Sequence, residues 1–478
     1  MILIYFITIM LIAALLALVK NKPFQYIAMS VFIIVQITLT TYIFFQGDIN
    51  YPDYFRADSL GLIFLTLLTI ISVTTIIQSF VYLEKRNDTI AHRSYYFASM
   101  VIFISSMTGV FMSNHIGVMW IFAEATTLSI ALLIYHERTH EAIEATWKYI
   151  FISTLGLSFS FIGILLFDIS ISGFHSALFT FSDLQNVFIS IQNKMMLQLA
   201  FILIVIGFSV KMGVFPLHTV CIDAHSVAPS PVSAMVSTSL MNVGFVAIFR
   251  FYIMLSHSSI FNWMNHVLLI IGFLSILFAA IYLVKVKNFK RLIAYSSIEN
   301  MGIVAIAIAV GGIAWFAAIL HLVIHTFVKS GIFYQMAQII RFYKTKKVYL
   351  IGRYFHVNPI GGIVMIFAFI ILSGIPPSGF FFTEFMIFSS MFSGGYAIVA
   401  GLVMVLLCFI IYTLAKYFFK TLFGPVEIET INSSKKISKW ESVPQLILLV
   451  LTLVISIYPP PFLLDMIQDA IATLPPIN

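Results

Sequence analysis

Apolar runs of about 20 residues, the length at which a helix crosses the hydrocarbon core of a bilayer, recur along almost the whole of this chain. They fall at 2–19, 27–45, 59–83, 95–113, 115–135, 146–167 and 196–219, and again at 231–255, 266–284, 291–310, 313–340, 358–391, 396–422 and 444–460, fourteen in all. Lipid offers the backbone no hydrogen-bond partner, so such runs must close their own N–H to carbonyl bonds as helices. The expected fold class is therefore all-α polytopic membrane protein. Composition agrees, since 61% hydrophobic and 9% charged residues leave too little polar surface for a soluble domain.

Basic residues test the count, because they should collect on one side of the bilayer. With fourteen spans, Lys20, Lys22, Lys85, Arg86, Arg93, Arg138, Lys285, Lys287, Lys290, Arg291, Arg341, Lys344, Lys346, Lys347, Arg353, Lys435, Lys436 and Lys439 all fall on one side. Only Arg56 and Lys194 sit in loops on the other. The sequence thus places both termini outside the cytoplasm, in an inner or cytoplasmic membrane. The first run has no basic residue before it and reads as an anchor rather than a cleaved signal peptide. The net charge of +7 is used up by this sidedness, so no nucleic-acid partner is expected. Cys221 and Cys408 form no CxxC pair, and no glycine-rich nucleotide loop precedes a helix. No cofactor, no metal and no catalytic residue are expected in this chain.

The informative residues are then the ionisable ones deep in apolar runs, each costing at least about 2.5 kcal/mol there. Glu124, in MWIFAEATTLSIALL, has no other charge within ten residues. Lys211, in VIGFSVKMGVFPLH, lies two spans later, and the two are expected to interact. A static ion pair would serve packing alone. His321, His325 and Lys329 are spaced by four, which lines them along one helix face as a ladder of proton sites. Glu299 and Glu384 lie in later spans, the former only about two turns from the basic loop at Lys290 and Arg291. Arg250, Lys416, Lys420 and Lys148 are nearer helix ends and are expected to snorkel.

Two runs carry prolines in their interior, Pro216 in GVFPLH and Pro376 and Pro377 in SGIPPSGFF, and both helices should be interrupted there. The topology runs them in opposite directions, as in an inverted-repeat transporter. The expected organisation is three N-terminal spans (1–94), a first repeat of spans 4 to 8 (95–255), a second of spans 9 to 13 (256–422) and a C-terminal loop and span (423–478). Between the seventh and eighth spans, His218, Asp223 and His225 stand in a connection without basic residues, and with Glu299 they are read as the candidate proton entry on the cytoplasmic side. Cys221, Asp223 and His225 could ligate a metal, but alternate spacing in a short loop is weak support for that.

KMGVFPLHTVCIDAHSVAPSPVSA resembles the signature of the proton-translocating, antiporter-like membrane subunits found in respiratory complex I, Mrp antiporters and energy-converting hydrogenases. FAEATTLSIALL, IAYSSIENMGI, LHLVIHTFVKSGIF and GIPPSGFFFTEF extend the likeness over spans 4 to 13. EATTL followed by WKY, together with SSIEN, is most similar to the hydrogenase-4 or formate hydrogenlyase type. The resemblance implies that Glu124 and Lys211 gate proton uptake, that His321, His325 and Lys329 form a central hydrophilic axis, and that Glu384 is its terminal charge. Two departures stand out: Asn242 where several complex I members carry lysine, and Val220, Cys221 and Ile222 where tryptophan and proline are common. The chain ends at Asn478 without a long lateral helix, the short form of the family.

The expectation is a non-catalytic subunit that moves protons or Na⁺ for an oxidoreductase complex, with other membrane and peripheral subunits and the lipid bilayer as partners. One rival couples the same ion path to inorganic carbon uptake. Another is a free-standing cation/proton antiporter. A membrane transferase would show its acids and bases in extramembrane loops, and here the acids that stand out are inside the bilayer.

Overall fold

The computed structural model describes residues 2–46, 51–86, 88–171, 179–187, 193–425 and 439–475. In chain order the helices are α1 (Ile2–Leu18), α2 (Lys22–Gln46), α3 (Ser59–Arg86), α4 (Ile90–Met112), α5 (Ile116–Tyr135), α6 (His140–Ile171), the short α7 (Phe181–Val187), α8 (Lys194–Met212), α9 (Thr219–Val227) and α10 (Ser230–Met235). A π-helical turn, Val236–Leu240, joins α10 to α11 (Met241–Met254). Then follow α12 (Phe261–Leu283), α13 (Phe289–Val310), α14 (Ile313–Tyr343), α15 (Tyr354–Val357), α16 (Pro359–Leu372), α17 (Gly379–Ser393), α18 (Ala397–Phe423), α19 (Val443–Ile457) and α20 (Pro461–Ile471). Among the described residues, twelve helices are long and apolar enough to span a membrane, and α1, α16 and α17 are shorter apolar ones. The protein is a multi-pass, all-α membrane protein.

Element boundaries differ from the sequence reading where local chemistry overrides hydropathy. The run at 196–219 is helical only to Met212, because Gly213 takes a left-handed conformation (φ 77°) that ends the ladder. The run at 358–391 is two helices, separated at Ser373–Ser378. The peptide bonds preceding Pro216 and Pro377 are cis. The connection expected as a loop around Asp223 is the helix α9, and α20 is too short to register as a span. Lys435 and Lys436 of the last basic loop lie outside the described residues.

The chain forms two compact units. One comprises Met1–Val232, Ser239–Val267 and Asp465–Pro475; the other comprises Ser233–Thr238 and Leu268–Leu464. In the first, α6 and α8 meet backbone to backbone: a methyl at Gly207 would stand 2.6 Å from the Gly156 carbonyl oxygen, and one at Gly163 2.7 Å from that of Ala200. Without aqueous hydrophobic pressure between helices, such small-residue contacts are what hold membrane helices close. Gly244 likewise brings α11 onto the end of α8, where a Cβ would sit 2.1 Å from the Met212 nitrogen. Arg250, expected to snorkel, is instead buried. Its guanidinium donates to the carbonyls of Val110 (3.0 Å), Phe111 (2.7 Å) and Ser113 (2.8 Å) at the end of α4, and pairs with Asp58 at 2.7 Å. The orphan carbonyls of a helix end give a buried cation more than a headgroup would. In the second unit, Gly272 and Gly302 bring α12 and α13 into similar contact, and α14 packs on α13, α17 and α19.

Candidate functional site

Each unit holds a lysine whose side chain is wholly buried, Lys211 in the first and Lys329 in the second. In the first, Lys211 stands one residue before the end of α8, on the face that α5 and α6 cover. Its Nζ donates to the hydroxyls of Thr127 (2.7 Å), Thr126 (2.9 Å) and, at 3.4 Å, Tyr149. Thr126 in turn donates its own hydrogen to the Ala123 carbonyl at 2.6 Å. The close α6–α8 contact is what brings Tyr149 to the lysine.

The expected pairing of Lys211 with Glu124 takes a different form. No ion pair joins them among the described residues. Glu124 is half-buried and accepts from Thr154 of α6 at 3.1 Å through Oε1, while its buried Oε2 has no hydrogen-bond partner. Lys211 bonds to Thr127, about 60° from Glu124 around α5, and to Thr126, about 200° from it, so the ammonium is seated on the threonine pair while the Glu124 carboxylate turns to Thr154 of α6. Neither threonine was singled out from sequence, although TT directly follows the EA of EATT and falls on the buried side of α5.

In the second unit a run of polar contacts, passing through the Ser296 backbone carbonyl, lies between α13, α14 and α17. Lys329 donates to the Ser296 hydroxyl in a short contact and to the Ile293 carbonyl at 3.3 Å. Asn300, one turn along α13, donates its amide both to the Ser296 carbonyl (2.5 Å) and to Glu299 Oε2 (2.7 Å). Its Oδ1 meets His321 Nε2 at 2.9 Å, and His321 Nδ1 meets the Thr383 hydroxyl at 2.8 Å. The imidazole also stacks on Phe380, ring centres 4.3 Å apart. His325 is fully buried one turn from both His321 and Lys329. Glu299, which sequence reading set against the nearby basic loop, is thus bound into this run through Asn300. Its neighbour Asn300, an uncharged residue in a polar stretch, gave no signal of its own.

Glu384 follows Thr383 on α17 and lays its carboxylate over the break that precedes the helix: a Cβ at Gly374 would come 3.0 Å from Oε2. Gly374 has φ 60°, where a side chain would also be strained. Pro376 and Pro377 lie in the same non-helical segment, and Pro216 lies in the corresponding segment between α8 and α9. His218 and His225 are buried at either end of α9, whereas Asp223 is half-exposed. On a helix, Cys221 and His225 share a side and Asp223 points away from both. The Cys221 thiol donates to the Val210 carbonyl at 3.1 Å. Asn242 is buried in the first turn of α11, two residues before Gly244.

Residues 113–410 match the family described as NADH:quinone oxidoreductase/Mrp antiporter, TM. A hydrogenase-4 component F homolog of Methylacidiphilum infernorum (isolate V4) is 35% identical over 350 residues, covering 71% of this chain and 73% of that protein. Hydrogenase-4 component B of Escherichia coli (strain K12) is 25% identical over 351 residues, and there the match spans 71% of this chain but only 51% of the relative. In three dimensions the chain superimposes on a chain of the membrane-bound sulfane sulfur reductase, an archaeal respiratory membrane complex. That match has a TM-score of 0.86 at 20% identity and covers 99% of this chain and 97% of the other.

Proposed function

Since the chain belongs to the NADH:quinone oxidoreductase/Mrp antiporter transmembrane family, we propose that it carries protons, or another small cation, as the antiporter-like subunit of a larger membrane redox complex. The observation that carries this reading is the setting of its two buried lysines. Lys211 is held by hydroxyls and Lys329 by a hydroxyl and a carbonyl, and among the described residues no carboxylate forms an ion pair with either ammonium. A hydroxyl accepts from an ammonium and, after turning about its C–O bond, donates to a neutral amine. The hydrogen of Thr126 is committed to a carbonyl, so the hydroxyls of Thr127 and Tyr149 are the groups left to turn. The same cage therefore fits both protonation states, which a fixed ion pair would not.

In the second unit, Lys329, Glu299, His321 and Glu384 are the groups that can take up and release a proton, with Ser296, Asn300 and Thr383 holding the first three. We take Glu124, Lys211, His321, His325, Lys329 and Glu384 as the ion-carrying residues, joined by Glu299, and His218, Asp223 and His225 as the intake on the side of the basic loops. The redox partner acts by changing the field at these buried sites, and a charge arriving nearby loads or releases a proton at constant pH. We read fourteen spans, counting α16 and α17 as one interrupted helix, with both termini on the side away from the basic loops. Residues 95–255 and 256–422 are the two inverted halves, each containing a helix stopped at a proline-bearing segment.

The test is purification of the chain from its native membranes in mild detergent, with identification of everything that accompanies it. Hydrogenase or quinone-reductase subunits are expected. A zinc-site protein as the partner would point to carbon uptake, and a chain purified alone would point to independent antiport; either result removes the redox reading.

A further inference from the structure

Outside these sites, the first unit carries a cleft of about 920 Å³ between α1 and α5, with α4 as its floor. Its walls are small and apolar where they are deepest, at Ala13, Ala17, Ala98 and Ser99, while Met10 and Leu132 stand exposed along its rim. One end is shut by three rings: Phe6 stacks on Phe122 at 5.0 Å between centres, and Phe55 lies 5.8 Å from Phe6 and 6.1 Å from Phe122. The other end opens beside His92, Tyr95 and Arg138.

The dimensions select the occupant. From Phe6 to Ala17 helix α1 rises about 16 Å, close to half of the roughly 30 Å hydrocarbon core. A transmembrane helix of another subunit would have to pass the ring cluster, whereas an acyl chain from one leaflet ends there. The charges at the mouth select the headgroup. Two of the acids nearby are already engaged: Arg86 pairs with Glu137 at 2.6 Å and with Asp88 at 3.3 Å, and His136 meets Asp88 at 3.2 Å. Arg138, exposed on the loop after α5, has no ion pair among the described residues. Tyr95 and Tyr135 line the same cleft as Arg138 and are exposed, the kind of aromatic residue that collects at headgroups.

We propose that this cleft holds an acyl chain of an anionic phospholipid from the leaflet on the Arg138 side, with Arg138 on its phosphate. The lipid fills space between α1 and α5 that no side chain occupies and fastens α1 to the rest of its unit. It is a bound component, independent of whether the chain carries ions.

The test places the full chain, with whatever accompanies it, in nanodiscs containing phosphatidylglycerol or phosphatidylcholine with a photoactivatable acyl chain, and maps the crosslinked peptides by mass spectrometry. Labelling of α1, α4 and α5 inside the cleft is expected, stronger for phosphatidylglycerol. Arg138→Gln, on an exposed loop that does not threaten folding, should lower that preference roughly fivefold, the weight of one basic residue at an anionic surface. Ala14→Trp, at an exposed lining position, should block labelling by both lipids. Equal labelling by the two lipids in the unsubstituted protein, unlabelled cleft peptides, or a cleft crosslinked to another subunit would each overturn the proposal.

Discussion

Replacing Lys211 with methionine separates stability from transport. The ammonium makes two hydrogen bonds to Thr126 and Thr127 and a longer one to Tyr149. Bonds to a charged group are worth about 1.5 to 3 kcal/mol each, so together they return several kcal/mol. Taking an ion out of water costs a similar amount, still several kcal/mol after relaxation. The two nearly cancel, and methionine restores most of the volume. Thr126 keeps its bond to Ala123, leaving Thr127 as the main hydroxyl to lose its partner, at about 1 to 3 kcal/mol. Lys211→Met should therefore assemble in normal amount and melt within a few degrees of the unsubstituted protein. In proteoliposomes driven by the redox partner, proton uptake measured with a pH-sensitive dye should nevertheless vanish. Thr127→Val should retain the charge and transport slowly. If Lys211→Met pumps at the normal ratio of protons to electrons, the lysine cage is packing alone and the reasoning fails.

Four further outcomes follow. Gly244→Ala puts a methyl where 2.1 Å is available; overpacking should cost about 1 to 3 kcal/mol and move α11 off Lys211, lowering both melting temperature and pumping. Asn300→Leu cuts the link between Glu299 and His321, so pumping should fall sharply while co-purification of partners is unchanged, and normal pumping would remove Asn300 from the path. Arg250→Met strands Asp58 and three carbonyls, for which a loss of about 3 to 5 kcal/mol is expected, seen as a lower yield of folded protein and a lower melting temperature. At the loop between α3 and α4, burial alone would raise the Asp88 carboxyl, but the His136 hydrogen bond and the Arg86 charge outweigh it and hold the carboxyl below its ordinary 3.8. A lowered folded value means stability present at neutral pH and lost as pH falls through it. The melting gap between the unsubstituted protein and Asp88→Asn should thus be open at pH 7 and close well below pH 4.

Hydropathy made the spans and the buried lysines legible because lipid penalises every polar group it meets, and that penalty is written residue by residue. Partners are not written in this way. Glu124 and Lys211 are each conspicuous alone, yet that the lysine is held by Thr126 and Thr127 while Glu124 meets Thr154 depends on how α5, α6 and α8 pack, which composition does not carry. Asn300 is uncharged and cheap enough to pass unnoticed, although it joins two ionisable groups. Arg250 misled through depth: nearness to a helix end suggests escape to headgroups, and only the three-dimensional course of α4 brings carbonyls to it. The π-helical turn at Val236–Leu240 left no trace beyond three consecutive hydroxyl residues, Ser237, Thr238 and Ser239.

The glycine contacts between α6 and α8 have a kinetic meaning. With Gly163 and Gly207 leaving no room for even a methyl group and Gly156 little, the two helices are held as one strut, and the spacing between Tyr149 and Lys211 is set by close-packed backbone rather than by compliant side chains. A proton cannot be admitted to Lys211 by sliding one helix past the other. What remains free is rotation about a single C–O bond, a picosecond-to-nanosecond event, against microseconds or longer for helix displacement. If Lys211 carries protons as proposed, the moving part at this site is a hydroxyl, and the two helices are its bearing.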